Sequence, residues 1–383
     1  MSRINDLIKE LCPNGVEYKL LKDVSEMKRG QSITKKNLKI GKIPVIAGGQ
    51  EPSFYNDKYN SEGETITVSS SGAYAGFLNY WNEPILCTDS FSIKAKKLNM
   101  RYLYHYLKMK QNEIYNKKRG AGIPHVHISD LEKFKIPIPP IKVQEEIVRI
   151  LDKFGEIEAE LEAELEARKS QYEFWHKKIF DNSNGKVIKL SDLCIIGDGL
   201  HGTPHYVDES EYYFINGNNL NNGKITYDNK TKKVSKTDFD NQSILLNDNT
   251  LLMSINGTIG KVSYYNNEKI MLGKSVAYFN IKDKNRLSKK YLYYLLQSPN
   301  SIKYYQDSLT GSTILNLGLK SLREFEVQIP SIDEQNRVAN ILERFDKLIN
   351  DITVGIPAEI ELRRKQYEYY RNKLLSFEEL YYE

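Results

Sequence analysis

The stretch Ile141 to Phe154 (IKVQEEIVRILDKF) recurs at Ile332 to Phe345 (IDEQNRVANILERF), an offset of 191 residues with five of fourteen positions identical. The same offset pairs Gly120 with Gly311, Ile123 with Ile314, Leu131 with Leu322 and Phe134 with Phe325. Further on, Arg168 to Tyr172 (RKSQY) matches Arg363 to Tyr367 (RRKQY) at an offset of 195, so the second copy holds four extra residues in between. Near the start of each copy, Asn14-Gly15 and Lys19-Leu20 pair with Asn184-Gly185 and Lys189-Leu190. The series is collinear across the chain, and that is the signature of an internal duplication. Duplication constrains the fold strongly: whatever architecture one copy adopts, the other must adopt too. The 383 residues therefore hold one unit used twice rather than several unrelated domains.

Charge follows the same division. The overall +5 separates into +8 over residues 1–141, −3 over 142–180, +3 over 181–331 and −3 over 332–383. Two basic blocks thus alternate with two acidic ones, a distribution suited to a protein that meets a polyanion twice. The acidic blocks read as helices. Apolar residues fall at Ile147, Ile150, Leu151, Phe154, Ile157, Leu161, Leu165, Tyr172, Trp175 and Ile179, close to a 3.5-residue period. A helix over Lys142–Phe180 would be roughly 58 Å long at ~1.5 Å per residue. Its single apolar seam needs a partner. The second block supplies one through Val338, Ile341, Leu342, Phe345, Leu348 and Ile352, then Ile360, Tyr367, Tyr370 and Leu374. Gly355 and Pro357 predict a kink or short break in that second helix.

The basic blocks read as mixed domains. Short strands are expected at Thr65–Ser69, Leu86–Thr88, Phe91–Ala95, Tyr212–Ile215, Thr250–Ile255 and Lys261–Tyr265, bounded by Gly, Asn and Ser turns. Each block then carries an aromatic helical stretch, Arg101–Leu107 or Lys290–Leu296, and closes on a proline-punctuated strand that hands over to the long helix. Catalytic signatures are missing. Gly273-Lys274-Ser275 resembles the end of a phosphate-binding loop, but Glu268 stands where its first glycine belongs and a strand rather than a helix follows. His125 and His127, or Asp198 with His201 and His205, lack the further ligands a metal needs. Neither an amino-methylation motif nor a glycine-rich cofactor turn is present. The chain reads as a binding protein, with no metal and no cofactor of its own. Three widely spaced cysteines fit a reducing, cytoplasmic setting, and no apolar run is long enough to span a membrane.

Several motifs resemble one family. They are Leu11-Cys12-Pro13-Asn14-Gly15-Val16-Glu17-Tyr18, Pro139-Pro140-Ile141 followed by Gln144-Glu145-Glu146-Ile147, and Glu166 to Phe174. The second copy adds Gly355 to Arg363, Gln366 to Arg371, Asp198 to Tyr206 and Gly257-Thr258-Ile259-Gly260. As a set they are similar to the specificity subunit of type I restriction–modification systems, and the likeness covers the whole chain. It implies an α+β fold: two tandem mixed α/β target recognition domains separated by two long helices that pair as an antiparallel coiled coil, with pseudo-two-fold symmetry. The expected boundaries are recognition domain 1 at 1–141, helix 1 at 142–180, recognition domain 2 at 181–331 and helix 2 at 332–383.

Each recognition domain would read one half of a bipartite, asymmetric double-stranded DNA sequence, and the coil would set the gap between the halves. The resemblance also implies two methyltransferase subunits that bring S-adenosylmethionine for adenine N6. Two restriction subunits that bring ATP and magnesium could join them. The chain itself would catalyse nothing. Base readout calls for Gln and Asn toward adenine and Arg and Lys toward guanine. The candidates in the first domain are Gln31, Thr34, Lys35, Gln50, Ser70, Tyr74, Lys118, Arg119, His125 and His127. In the second they are His201, Thr203, His205, Tyr206, Asn216, Asn218, Asn219, Asn256, Thr258, Thr310, Ser312 and Asn316. Any one of them is, by its type alone, an ordinary polar loop residue. The rival reading is a coiled-coil adaptor that bridges protein or RNA partners. Of the 27 tyrosines, Tyr172, Tyr367 and Tyr370 are expected in the coil or on a partner surface.

Overall fold

The computed structural model describes residues 2–33, 40–120, 122–181, 184–242, 244–311 and 315–380. Chain contacts gather into two units, Met1–Glu162 with Glu359–Glu383, and Ala163–Ala358. The division falls inside the long helix Ile141–Asp181. In the first unit a four-stranded antiparallel sheet runs Ser25–Arg29, Ser90–Ala95, Glu64–Ser69, Leu78–Asn82. The second unit repeats it as Cys194–Asp198, Val276–Ile281, Thr250–Ser254, Val262–Tyr264. The central strands are almost wholly apolar or β-branched and are buried on both faces, as expected where helices cover one side and loops the other. A second small sheet in each unit is built around a parallel pair, Ile43–Ile46 with Leu86–Cys87 and Tyr213–Ile215 with Ile270–Leu272.

The aromatic stretches form helices Met100–Met109 and Lys289–Leu296. Tyr102 and Tyr291 are fully buried in the two cores. Their hydroxyls nonetheless donate to the carbonyls of Pro137 and Gln328 in the strands before the long helices. Burying a tyrosine whole is tolerable only because that polar tip is paired.

A glutamine explains the repeated hand-over motif. Gln144, 2 % exposed, accepts from the Asn99 N–H (2.9 Å) and donates to the Pro139 carbonyl (2.7 Å). Gln335, 0 % exposed, accepts from the Ser288 N–H (2.8 Å) and donates to the carbonyls of Arg286 and Pro330 (both 2.9 Å). Asn99 and Ser288 are the N-caps of the aromatic helices. One buried amide therefore ties the start of each aromatic helix to the proline that opens the following helix.

The first pairing of the two copies moves by one residue. Leu21 N–H donates to the Phe134 carbonyl, and Leu190 N–H does the same to Phe325. Leu21, rather than Leu20, is thus the counterpart of Leu190. The buried faces of the short helices Leu21–Val24 and Leu190–Leu193 set this register, because a Lys-Leu pair in a half-exposed ribbon carries no packing constraint.

Both long-helix contacts are antiparallel. In the first unit Arg364 pairs with Glu158 (2.6 Å) and Glu162 (2.8 Å), while Tyr370 stacks on Phe154 at 5.5 Å. In the second, Tyr172 meets Phe345 at 6.4 Å, and Ile179 and Val338 line one 380 Å³ cleft. The helix Ile332–Asn350 ends before the break, and a new helix, Ile356–Leu375, begins next to Pro357. Three seam positions differ from the periodicity. Trp175, Leu348 and Ile352 are exposed; His176 is buried beside the first, 3.0 Å from the Tyr294 carbonyl, and Ile349 beside the second, near the helix end. With the helix stopping at Asn350, no following turn continues the seam through Ile352.

Two features fall outside the sequence reading. Helix Ser2–Leu11 buries Ile4 fully. The C-terminal segment docks beside Val16, with Val16 N–H donating to Glu378 O and Leu380 N–H to Val16 O, both 2.9 Å. Gly15 stands at φ +92°, and a Cβ there would lie 2.5 Å from the Glu378 carbonyl oxygen. Among the described residues no helix is long and apolar enough to cross a membrane. Cys12, Cys87 and Cys194 are free and buried, and burial pushes the Cys87 thiol up to about 11.

Candidate nucleic-acid interface

Most of the candidate readers gather at one rim of each four-stranded sheet, on loops tied together by the same hydrogen bonds in both units. Gln31 N–H donates to Cys87 O (2.9 Å) as Leu200 N–H does to Leu272 O (2.7 Å). Thr88 N–H donates to Ile46 O (2.8 Å) as Gly273 N–H does to Ile215 O (2.9 Å). Gly72 N–H donates to Pro124 O as Gly257 N–H does to Leu315 O, both 3.0 Å. Val126 N–H donates to Ser70 O (3.0 Å) as Leu317 N–H does to Ile255 O (2.9 Å). Gly72 and Gly257 both sit at positive φ, +85° and +71°, where a side chain would be strained. Bridges add Ser71 with His125 and Arg119 with His125, matched by Asn256 with Asn316 and Thr310 with Asn316. The backbone frame is common to both units, whereas the side chains on it differ.

On the first rim the structure brings together Gln31, Gln50, Ser70, Tyr74, Lys118, Arg119, His125 and His127. The Gly49 carbonyl ahead of Gln50 accepts from Ser69 Oγ (3.3 Å), which holds that loop to the end of its strand. The exposed Arg119 guanidinium pairs with buried Asp130, whose carboxylate also accepts from the His127 N–H (2.9 Å). This anchoring limits how far Arg119 moves and leaves the rest of its donor fork facing water. His125 and His127 rings lie parallel, 6.1 Å apart. Lys118 donates to Ala73 O (3.2 Å) and sits 4.5 Å over the Tyr115 ring. Thr34 and Lys35 lie outside the described residues, as does Ser312.

On the second rim stand His201, Asn216, Asn256, Thr258, Thr310 and Asn316. His201 Nε2 contacts Asp198 Oδ2 at 2.8 Å, and Asn256 Nδ2 donates to Lys274 O at 3.3 Å. Five candidates hold other places. Thr203 is exposed in the connecting loop, and His205 N–H donates to Asp238 (3.0 Å). Tyr206 belongs to the edge strand of the small sheet, its ring against Phe214 at 5.8 Å. Asn218 is exposed in the turn beyond Asn216. Asn219 is spent on its own loop: Oδ1 accepts from Asn216 N–H, and Nδ2 donates to Thr226 O and Thr231 Oγ1. Its amide has no donor left for a base.

Sequence reasoning passed over Asp89, Lys274 and Ser275, which lie on the rims. For Asp89 and Ser275 a signal was available, since both turns precede an apolar strand at corresponding places in the repeat, whereas Lys274 has no counterpart in the first copy. Among the described residues no group of three or more His, Cys, Asp or Glu is placed to hold a metal ion.

Comparison with known proteins sets this geometry in a family. The model of the type I restriction modification DNA specificity domain matches residues 13–167 and again 182–362. The EcoR124I/EcoR124II specificity subunit of Escherichia coli is 29 % identical over 370 residues, covering 84 % of this chain and 88 % of that protein. A putative type I restriction enzyme specificity subunit of Haemophilus influenzae is 29 % identical over 384 residues, covering 94 % of this chain and 96 % of that protein. Among solved structures, one describing complex assembly and conformational transition of a type I system superposes with a TM-score of 0.66 at 14 % identity, covering 95 % of this chain and 98 % of that one. The Mycoplasma genitalium S subunit gives 0.57 at 17 % identity, covering 94 % and 96 %.

Proposed function

Because the chain belongs to the family of type I restriction–modification specificity subunits, we infer that residues 1–141 and 181–331 each read one half of a bipartite, asymmetric DNA target. The observation that carries this is the pair of rims: one hydrogen-bonded frame, built twice, with different side chains on it. A symmetric reader would need the same residues in both copies, whereas an asymmetric target needs different ones. Arg119 corresponds to Thr310 and His125 to Asn316, both at the 191-residue offset. An adaptor that bridges protein or RNA partners is not favoured by this membership.

In this reading the chain selects the site and its partners act on it. Two methyltransferase subunits would supply S-adenosylmethionine and modify adenine at N6, and restriction subunits would supply ATP-dependent cleavage with magnesium. A duplicated surface supports two copies of one partner. Phe174 and Trp175 meet edge to face at 5.4 Å with Lys178 5.1 Å from the Trp175 ring. At the 195-residue offset, Tyr369 and Tyr370 meet at 5.2 Å with Lys373 5.9 Å from the Tyr369 ring. Phe174 and Tyr369 are 59 % and 60 % exposed, and one exposed ring of this kind in each copy suits a protein interface.

The test is to map methylated adenines in cells with and without this chain, beside a methyl-transfer assay on the purified chain alone. The expected result is a bipartite motif that disappears with the chain, and no transfer by the chain itself. Methyl transfer by the isolated chain, or a motif that survives its deletion, would overturn the reading.

A further inference from the structure

The turns that join the parallel strand to the sheet differ by one residue between the units. The first has Thr88-Asp89-Ser90 and the second Gly273-Lys274-Ser275-Val276. Thr88 and Gly273 correspond, since each N–H donates to the neighbouring parallel strand. Asp89 and Ser275 correspond, since their carbonyls accept from Ser70 and Ile255. Ser90 and Val276 correspond, since they pair with Ser69 and Ser254. The residue left over is Lys274. Its N–H donates to Leu200 O (3.0 Å), and its carbonyl accepts from Asn256 Nδ2 (3.3 Å). The backbone is thus held on both sides, while the ammonium is exposed and has no ion pair or hydrogen bond among the described residues.

Next to it stands Asn216, where the first unit has Ala47. Ser275 Oγ accepts from Gly217 N–H (3.0 Å) and donates to Asn216 Oδ1 (3.1 Å). The Asn216 backbone N–H is fixed in turn by Asn219 (3.0 Å). A Cβ on Gly273 would lie 2.5 Å from Asn216 Oδ1, so only glycine lets the amide rest on that turn. With Oδ1 held inward, the exposed Nδ2 offers donors alone, and so does Lys274.

We propose that Asn216 and Lys274 together read a guanine in the second half-site, with Ser275 as the positioning residue. The proposal rests on the DNA-recognition reading above. In the major groove guanine presents two acceptors, N7 and O6, and no donor. Adenine and cytosine present an amino group that would meet a donor head-on, and thymine offers one acceptor beside a methyl group. A paired donor set matches guanine and penalises the others. The first unit has Ala47 in place of Asn216, Asp89 in place of Ser275 and no counterpart of Lys274, so it cannot make this contact and must read something else.

The decisive variant is Asn216→Asp in the complex with its methyltransferase partner. It preserves shape and the acceptor for Ser275, but turns the outward donors into an acceptor. Methylation mapping should show one guanine position of the second half-site losing preference by about 5- to 150-fold, the range set by a single base contact. The first half-site should not change. Lys274→Ala should relax the same position. Ser275→Ala should relax it with an unchanged thermal midpoint, and Ser275→Thr should restore it. If Asn216→Asp leaves the motif as it was, or the wild-type second half-site holds no guanine on either strand, the proposal falls while recognition stands. If the wild-type complex has no bipartite motif at all, the recognition reading itself has failed.

Discussion

Replacing Gln335 with methionine keeps the volume of the buried side chain and removes its amide. The three groups it serves, Ser288 N–H and the carbonyls of Arg286 and Pro330, would then be left unpaired in a site with 0 % exposure. Each buried polar group that loses its partner costs about 1–3 kcal/mol. Taking the lower end for groups that relax toward water, the loss is about 3 kcal/mol. Gln144→Met removes two such bonds and should cost about 2 kcal/mol on the same scale. The effect should be local. Hydrogen exchange resolved by peptide should speed up about 100-fold in helix Lys289–Leu296 for Gln335→Met, since each 1.4 kcal/mol is a factor of ten. Helix Met100–Met109 should keep its protection in that variant and lose it in Gln144→Met. Equal loosening of both helices by either substitution, or protection unchanged in both, would refute the account of these glutamines as clamps.

Burial is the main cause holding the His105 imidazole below its ordinary 6.5, against the Asp152 carboxylate that pulls it upward. Arg101, Arg371, Tyr104 and Tyr367 also face it. A depressed value means stability that is present above the unfolded value and lost as pH falls through the folded one. Denaturant midpoints should therefore fall between pH 7.5 and 5.5, and His105→Gln should lessen the fall; parallel curves would count against this. Gly15→Ala puts a side chain at φ +92° and 2.5 Å from Glu378 O, a strain of about 1–3 kcal/mol. It should release residues 376–380 to limited proteolysis, and an equally resistant tail would contradict the docking. Phe174→Ala with Tyr369→Ala should weaken assembly with the methyltransferase in sedimentation while leaving the thermal midpoint within a degree or two. Full assembly would remove the aromatic pairs from the interface.

The parts of the fold that follow chain periodicity were legible in the sequence. Val143, Ile147 and Leu151 recur every four residues and are all fully buried. Prolines marked where the long helices begin, because a residue before proline avoids helical backbone. The rims were half legible. Turn composition located most candidates, but an asparagine facing inward and one facing outward look alike in sequence, as Asn219 and Asn216 show. Lys274 was hidden for another reason: an inserted residue has no counterpart, and only the flanking hydrogen bonds identify it. Ile4, Leu7, Ile8 and Leu11 carry the spacing of a short amphipathic helix, and that spacing alone does not say which core it joins. Trp175 is exposed because its neighbour His176 takes the inward place, 5 % exposed and 3.0 Å from the Tyr294 carbonyl, and an apolar pattern does not record a buried histidine.

The separation of frame from rim has an evolutionary consequence. The bonds that hold the loops run mainly between backbone groups, so they survive almost any change of side chain at His125, Asn316, Ala47 or Asn216. At the exposed positions, His125 and Asn216, such substitutions usually alter stability by less than about 0.5 kcal/mol. If the rims read DNA as proposed, a lineage would move from one target sequence to another through proteins that all fold, and an insertion like Lys274 would be absorbed by its turn.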